Sequence, residues 1–326
     1  MTRAVVLERP RELRIVRTEP QEPGYGEAVV RVAWSGICGS DREVFAGTRA
    51  EGYVRYPVTP GHEWSGTVVE LGPGTDQSLL GKPVVGEGFR NCGRCGSCRR
   101  GETNLCEAAY DETGFTRPGA WADELRLPAR LLHELPAEAD LRAAALLEPA
   151  ACMASAALKA NVVPGERVAV VGGGTLGMLA VQLLAASSPG ELVVVDPRTD
   201  RAELARRFGA VMASPAEEFT PFDVVVEAAG APGTGSLAVR LTRRGGRTVL
   251  TGLAGTETDP LAPADLVASA VTVHTVFGAS SGAWTHAVRA FAAGTLDPAP
   301  LIIHEFALEK AEEALATLGG KVLLHP

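Results

Sequence analysis

Four of the six cysteines, Cys92, Cys95, Cys98 and Cys106, follow the spacing C-x2-C-x2-C-x7-C and sit in a stretch rich in Gly, Arg, Asn and Ser. The N-terminus breaks its apolar run with charges too early for a signal-peptide core, so a reducing, cytoplasmic setting is expected. There, clustered cysteines read as metal ligands before disulfides. Four thiolates fill the tetrahedral shell preferred by Zn2+ and leave no open position, so this centre is expected to be structural. The stretch has little apolar surface of its own, and metal binding would supply the folding free energy that a core does not. Spacing alone does not choose the metal, which leaves an iron–sulfur cluster or a redox disulfide pair open on this ground.

The other two cysteines are Cys38 and Cys152. Cys38 stands in Gly36-Ile37-Cys38-Gly39-Ser40-Asp41, and Pro60-Gly61-His62-Glu63-Trp64 follows downstream. A thiolate, an imidazole and a carboxylate suit a second zinc site, one that keeps a position for a substrate oxygen. Taken singly, such a cysteine or histidine is more often a core or surface residue; their company is what distinguishes them. The remaining histidines have no paired ligand spacing and receive no metal role.

A third chemical signal is Gly172-Gly173-Gly174-Thr175-Leu176-Gly177, which fits G-x-G-x-x-G directly after the apolar run Val168-Ala169-Val170-Val171. In such a turn Gly172 permits the sharp bend, Gly174 lets the backbone approach a pyrophosphate, and Gly177 allows a helix to pack closely on the strand. The N–H groups opening the helix at Thr175 and Leu176 face the phosphates. Asp196 falls nineteen residues after Gly177, at the end of the next apolar run, where a carboxylate binds the adenosine ribose hydroxyls and repels a 2′-phosphate. NAD is therefore expected over NADP, although Arg198 and Arg201 keep NADP from being excluded.

These groups need elements to position them. To about residue 130 the chain alternates short β-rich runs with Gly and Pro, as an irregular β domain does. From Val168 onward, β-branched runs at 168–171, 192–195, 224–226 and 248–250 alternate with helical patterns, which argues for a parallel sheet covered by helices. Leu176, Leu179 and Leu183 recur at helical spacing after the first of these strands. A strand near 271–277 is expected to close this domain, followed by helical patterns at 284–293 and 308–318 and a short strand at 321–324. Only 214–222 separates the presumed third strand from the fourth, too few residues for a packed crossover helix, so one helix is expected to be missing.

At 326 residues and 46% hydrophobic, the chain is long enough for two domains with cores. A net charge of -8 with scattered Lys and Arg offers no footprint for nucleic acid. No run approaches the roughly 20 apolar residues of a membrane span.

In its Gly36–Asp41 and Gly61-His62-Glu63 stretches, its four-cysteine lobe, Leu147-Glu148-Pro149 and its glycine turn, the sequence resembles the zinc-containing medium-chain dehydrogenase/reductase superfamily over essentially its whole length. The resemblance implies a GroES-like catalytic domain at 1–149, with a structural zinc lobe at 86–110, a Rossmann coenzyme domain at 150–280, and a return to the catalytic domain at 281–326. It places the active site in the cleft between the domains. It also implies two zinc ions per chain: Cys38 and His62 as catalytic ligands with Glu63 and Glu148 as the carboxylates able to complete the shell, and the four clustered cysteines as structural ligands. Glu148-Pro149 looks like the polyol and threonine dehydrogenase branch. Stretches 60–69, 114–120 and 304–308 are similar to 2-deoxy-scyllo-inosamine dehydrogenases of aminoglycoside biosynthesis, which implies a polyol or aminocyclitol substrate.

By the same resemblance, Ser40 hydrogen-bonds the alcohol and passes its proton outward. Family members often carry a histidine five residues after the ligand cysteine; here that position is Glu43, which either accepts the proton itself or binds an amine or hydroxyl of the substrate, an ordinary solvated glutamate being the alternative. Asp41 orients a zinc ligand or serves a turn. Arg201 matches the position that approaches the ribose, and Cys152 is expected as a packing residue. The expected activity is reversible oxidation of a secondary alcohol to a ketone by a homodimer or homotetramer. The rival readings are a zinc-free enone or quinone reductase and a redox-sensing binding protein.

Overall fold

The structure is a computed structural model that describes residues 1–198, 200–252 and 259–326. The chain forms two compact units, one of Met1–Glu148, Ser280–Ala292 and Asp297–Pro326, the other of Pro149–Ala279 and Ala293–Leu296. Among the described residues, no helix is long and apolar enough to cross a membrane.

The first unit contains β1 (Thr2–Arg9), β2 (Glu12–Thr18), β3 (Glu27–Ile37), β4 (Glu63–Leu71), β5 (Pro83–Gly86), β6 (Glu124–Pro128) and β7 (Leu132–Glu134). In the second lie β8 (Arg167–Val171), β9 (Glu191–Val195), β10 (Val211–Ala213), β11 (Phe222–Glu227), β12 (Thr242–Leu250) and β13 (Thr272–Thr275), and the chain returns to the first through β14 (Ile302–Ala307) and β15 (Lys321–His325).

Strand β3 is the spine of the first unit. One edge pairs with β4 along most of its length, while the other pairs antiparallel with β6 over Glu27–Arg31 and with β15 over Ser35–Ile37. Ala28, Val29, Val30 and Val32 are all buried, so packing covers both faces over residues 28–30, and exposure returns at Arg31. Trp64 sits in the core below this sheet with Val68, Val84, Leu125 and Leu127; Trp121 anchors a second cluster with Val322 and Leu324 of β15. The end of β3 and the start of β4 are thereby held rigidly side by side.

All six strands of the second unit run parallel, in the order β10-β9-β8-β11-β12-β13. Reversal of strand order between β8 and β11 is the doubly wound pattern, and it puts the C-terminal end of β8 at the switch point where ligands bind such sheets. The buried Val168–Val171 and Val224–Val226 runs are what a strand covered on both faces requires. Between β10 and β11, residues 214–221 contain no helix, as the short spacing predicts. The helical pattern at 308–318 resolves into a 3-10 turn, Leu308–Lys310, and a short helix, Ala311–Ala316, which ends ahead of Gly319-Gly320.

Candidate active site

In the cysteine lobe, one ligand atom from each of Cys92, Cys95, Cys98 and Cys106 lies within 4.8 Å of the others. Local backbone geometry aims them. Cys95 caps the short helix Gly96–Arg99, its sulfur accepting from the Cys98 N–H at 3.5 Å. The Cys95 N–H donates to the sulfur of Cys92 at 3.4 Å, and the Cys92 N–H donates to the sulfur of Cys106 at 3.3 Å. Glu107 ties the loop shut by accepting from Ser97 N and Ser97 Oγ, both at 3.0 Å. N–H donation from Arg94 and Cys95 pulls the Cys92 thiol down to about 6, and donation from Glu107 and Cys98 lowers Cys95, whereas burial, then Cys95, pushes Cys98 up to about 12. Two sulfurs thus favour the thiolate, and burial opposes it at the third. The 4.0 Å between the sulfurs of Cys95 and Cys106 is close to the separation of about 3.8 Å that Zn–S bonds of 2.3 Å impose on a tetrahedron. The donor set fits a structural zinc ion.

The second centre draws on three stretches. Cys38 ends the turn out of β3 and caps the helix Gly39–Ala46; its N–H donates to Asp41 Oδ2 at 2.8 Å. His62 and Glu63 lie at the start of β4 and are both buried. Ligand atoms of Cys38, His62 and Glu63 lie within 4.8 Å of one another. The imidazole lies between two polar groups: Nδ1 is at an ion-pair distance of 3.4 Å from Asp41 Oδ1, while Nε2 is 3.5 Å from the hydroxyl of Ser40. Burial disfavours charge on His62, but Asp41 and then Cys38 outweigh it and hold the imidazole well above its ordinary pKa. For Asp41 burial pushes upward, and the facing His62 outweighs it to hold the carboxyl low.

Beside this triad lies Lys321, the first residue of β15, only 6% exposed, whose Nζ is ion-paired with Glu63 Oε2 and donates to the carbonyl of Ile37 at 3.2 Å. Burial opposes its charge, and Glu63 and Cys38 more than restore it. A sulfur, an imidazole and a carboxylate converging in a largely buried setting make the donor set of a zinc ion, so these residues fit the metal that the spacing predicts. Glu148 stands at the start of the helix Leu147–Ala160 and is not one of the three residues whose ligand atoms converge. Cys152 lies one turn further along that helix.

A polar wall flanks His62. The ring of Phe115 lies 4.7 Å from the imidazole, and the guanidinium of Arg49 lies 4.1 Å from that ring. Arg49 donates to Glu43 at 3.5 Å and to the hydroxyl of Tyr110 at 3.3 Å, and Tyr110 in turn donates to Glu112. Glu43 is exposed, whereas Glu112 is buried, and burial raises its carboxyl to about 8 against the pull of His62. Neither Lys321 nor Glu112 is predicted from the sequence. Lys321 opens an apolar strand, and Glu112 lies in a turn with no motif; the one available signal was a lysine leading a run, Val322-Leu323-Leu324, apolar enough to be a buried strand.

In the second unit, the glycine turn links β8 to the helix Thr175–Ala185. Gly172 has φ +106°, and a Cβ on Gly177 would stand 1.8 Å from the carbonyl oxygen of Gly172, so only glycine permits this approach of helix to strand. A Cβ on Gly174 would meet nothing within 4 Å, which leaves that side of the turn open. Asp196, at the end of β9, accepts from Gly173 N at 2.6 Å and from Arg198 N and Nε, each at 2.9 Å. Burial alone would raise its carboxyl, but Arg198 and the Gly173 N–H bring it to about 2. Arg201 precedes the helix Ala202–Arg207.

Residues 24–137 match the alcohol dehydrogenase GroES-like domain and residues 175–293 the zinc-binding dehydrogenase domain. An L-threonine 3-dehydrogenase of Streptomyces coelicolor is 31% identical, with 92% of each chain covered. The structure of a cobalt- and zinc-bound thermostable alcohol dehydrogenase from Pyrobaculum aerophilum superposes with TM-score 0.90 at 29% identity, over 100% of this chain and 99% of that one. For the 2R,3R-butanediol dehydrogenase of Bacillus subtilis the TM-score is 0.88 at 25% identity, with both chains fully covered.

Proposed function

The chain belongs to the zinc-containing medium-chain dehydrogenase/reductase superfamily of alcohol dehydrogenases, and from that premise we propose that it oxidises a secondary hydroxyl of a polyol or aminocyclitol to a ketone, reversibly, with NAD. The observation that carries this reading is the convergence of Cys38, His62 and Glu63 beside a wall of Arg49, Tyr110 and Glu112. A part-buried wall of charged and hydroxyl groups suits a substrate with several polar substituents, not a simple aliphatic alcohol.

In the proposed site Cys38, His62 and a carboxylate hold the catalytic zinc, Glu63 being the one already in place and Glu148 the reserve, while Cys92, Cys95, Cys98 and Cys106 hold the structural ion. Zinc, when bound, supplies a Lewis acid that lowers the pKa of the substrate hydroxyl. Ser40, within 3.5 Å of the ligand imidazole, takes the substrate proton through its hydroxyl. Asp41 fixes the orientation of His62, as acceptors behind metal-bound imidazoles do. Glu43 is exposed and leans on Arg49, so it suits a role as outer proton acceptor or as a partner for a substrate amine. On the coenzyme side, Gly172, Gly174 and Gly177 shape the turn, the N–H groups at Thr175 and Leu176 face the phosphates, and Arg201 approaches the ribose. Asp196 favours the free 2′-hydroxyl of NAD and repels the 2′-phosphate of NADP.

The test is turnover of the purified, zinc-loaded protein with NAD and NADP against scyllo-inosamine-like aminocyclitols, polyols, threonine, butanediol and simple alcohols. Activity is expected with NAD on a cyclitol or polyol. Activity confined to simple alcohols defeats the substrate proposal, and equal use of NADP defeats the role of Asp196.

A further inference from the structure

Lys321 is a fully committed cation. It is buried at the head of β15, its Nζ is ion-paired with Glu63 Oε2, and it donates to the Ile37 carbonyl at 3.2 Å. The chain has made room for this contact: a Cβ on Gly36 would stand 2.1 Å from Glu63 Oε2 and 3.1 Å from Lys321 Cε. Buried ion pairs are poor stabilisers, because desolvation of two charges consumes most of their attraction, and apolar replacements are often as stable. A pair kept under those conditions needs another reason. Here the reason is the position of its acid: the same carboxylate lies within 4.8 Å of the ligand atoms of Cys38 and His62.

Resting on the reading of Cys38, His62 and Glu63 as metal ligands, we infer that Lys321 is a positioning residue that competes with the catalytic metal for the Glu63 carboxylate. Glu63 would then have two cationic partners, the metal and a buried ammonium. Lys321 keeps Glu63 a loosely held ligand, able to withdraw when an oxygen ligand arrives and to return when it departs. Without that ammonium the carboxylate has only the metal to satisfy it and becomes a permanent ligand.

The experiment follows release of Co2+ and Zn2+ from the full chain to a chromogenic chelator, together with the visible spectrum of the Co2+ protein, in wild type, Lys321→Met, Glu63→Gln and the double variant. The release phase that disappears in Cys38→Ser belongs to this centre; if Cys38→Ser removes no phase, the ligand reading itself has failed, not the role of Lys321. Lys321→Met is expected to slow release from this centre about tenfold, the scale on which groups behind a metal ligand act, and to shift the Co2+ band. In the Glu63→Gln background the same change should do nothing to either. Unchanged or faster release in Lys321→Met, or an equal effect with and without Glu63, overturns the inference. If Lys321→Met does not fold because Glu63 is left buried and unpaired, the double variant buries no lone charge, and its release rate must equal that of Glu63→Gln; a different rate overturns the inference as well.

Discussion

The two candidate metal centres are built on opposite plans. The lobe collects four like ligands from one short stretch and orients them with its own N–H groups, so nothing outside residues 91–107 is needed to aim a sulfur. The other centre joins three unlike ligands from the ends of β3 and β4, braces the imidazole with the buried Asp41 and counters the carboxylate with the buried Lys321. A closed thiolate shell has one task, to hold its loop together. A mixed shell, partly balanced by protein charges, is what the proposed exchange of a ligand requires. On that proposal shared metal chemistry yields rigidity in one place and reactivity in the other, and the difference lies in where the neutralising charges come from.

The sharpest way to break this comparison is one substitution made in both centres. Cys95→Ser should strip the lobe of its ion and lower the thermal midpoint by at least about 5 °C, since the loop has no core to fall back on. Cys38→Ser should leave the midpoint within about 2 °C while lowering kcat/KM by at least about 1,000-fold, through loss of several kcal/mol of charge stabilisation. Metal content and calorimetry on both variants decide the matter; equal losses of stability would mean that the centres do not differ in kind.

A smaller effect is expected at Asp41→Asn, which keeps an acceptor for the Cys38 N–H and removes the charge behind His62. Metal affinity in chelator competition should fall about 10- to 100-fold. No residue of the lobe outside its four cysteines should have so large an effect on either ion.

The smallest effect concerns Glu112, a buried acid flanking only the mixed centre. Its carboxyl is raised from an ordinary 4.5 to about 8 by burial, so the folded chain keeps a proton that the unfolded chain releases. The folded state binds more protons between those two values, and stability falls as pH rises through that window, by up to about 1.4 kcal/mol per pH unit for a group titrating alone. Below pH 4 the two states are protonated alike and the loss vanishes. Glu112→Gln should flatten this decline in urea midpoints measured from pH 5 to 8 and leave the midpoint at pH 4 unchanged. A variant that follows the wild-type curve at every pH would show that Glu112 is ionised in the folded chain.

The same contrast explains what was legible in the sequence. Cys92, Cys95, Cys98 and Cys106 reveal themselves because their geometry is local, and the turn at 172–177 does so because its glycines answer to one close approach. The absent helix between β10 and β11 follows from counting residues in a crossover. Cys38 and His62 can be paired only through their neighbouring motifs, since the contact between them depends on the register of β3 against β4. Lys321 is out of reach of such reasoning: its partner is set by the antiparallel pairing of β15 with β3, which brings together residues as far apart in sequence as Ile37 and Lys321. Glu112 escapes notice for a related reason, because burial turns an ordinary turn glutamate into a chemically distinct group and burial is a property of the assembled unit.

The placement of β15 also imposes an order of events on synthesis. Cys38, His62 and Glu63 are synthesised long before the strand that carries Lys321, which must insert between β14 and β3. Until that strand is in place Glu63 lacks its ion-pair partner. On the proposed role of Lys321, a metal bound before the sheet is complete would be held more tightly than in the finished chain.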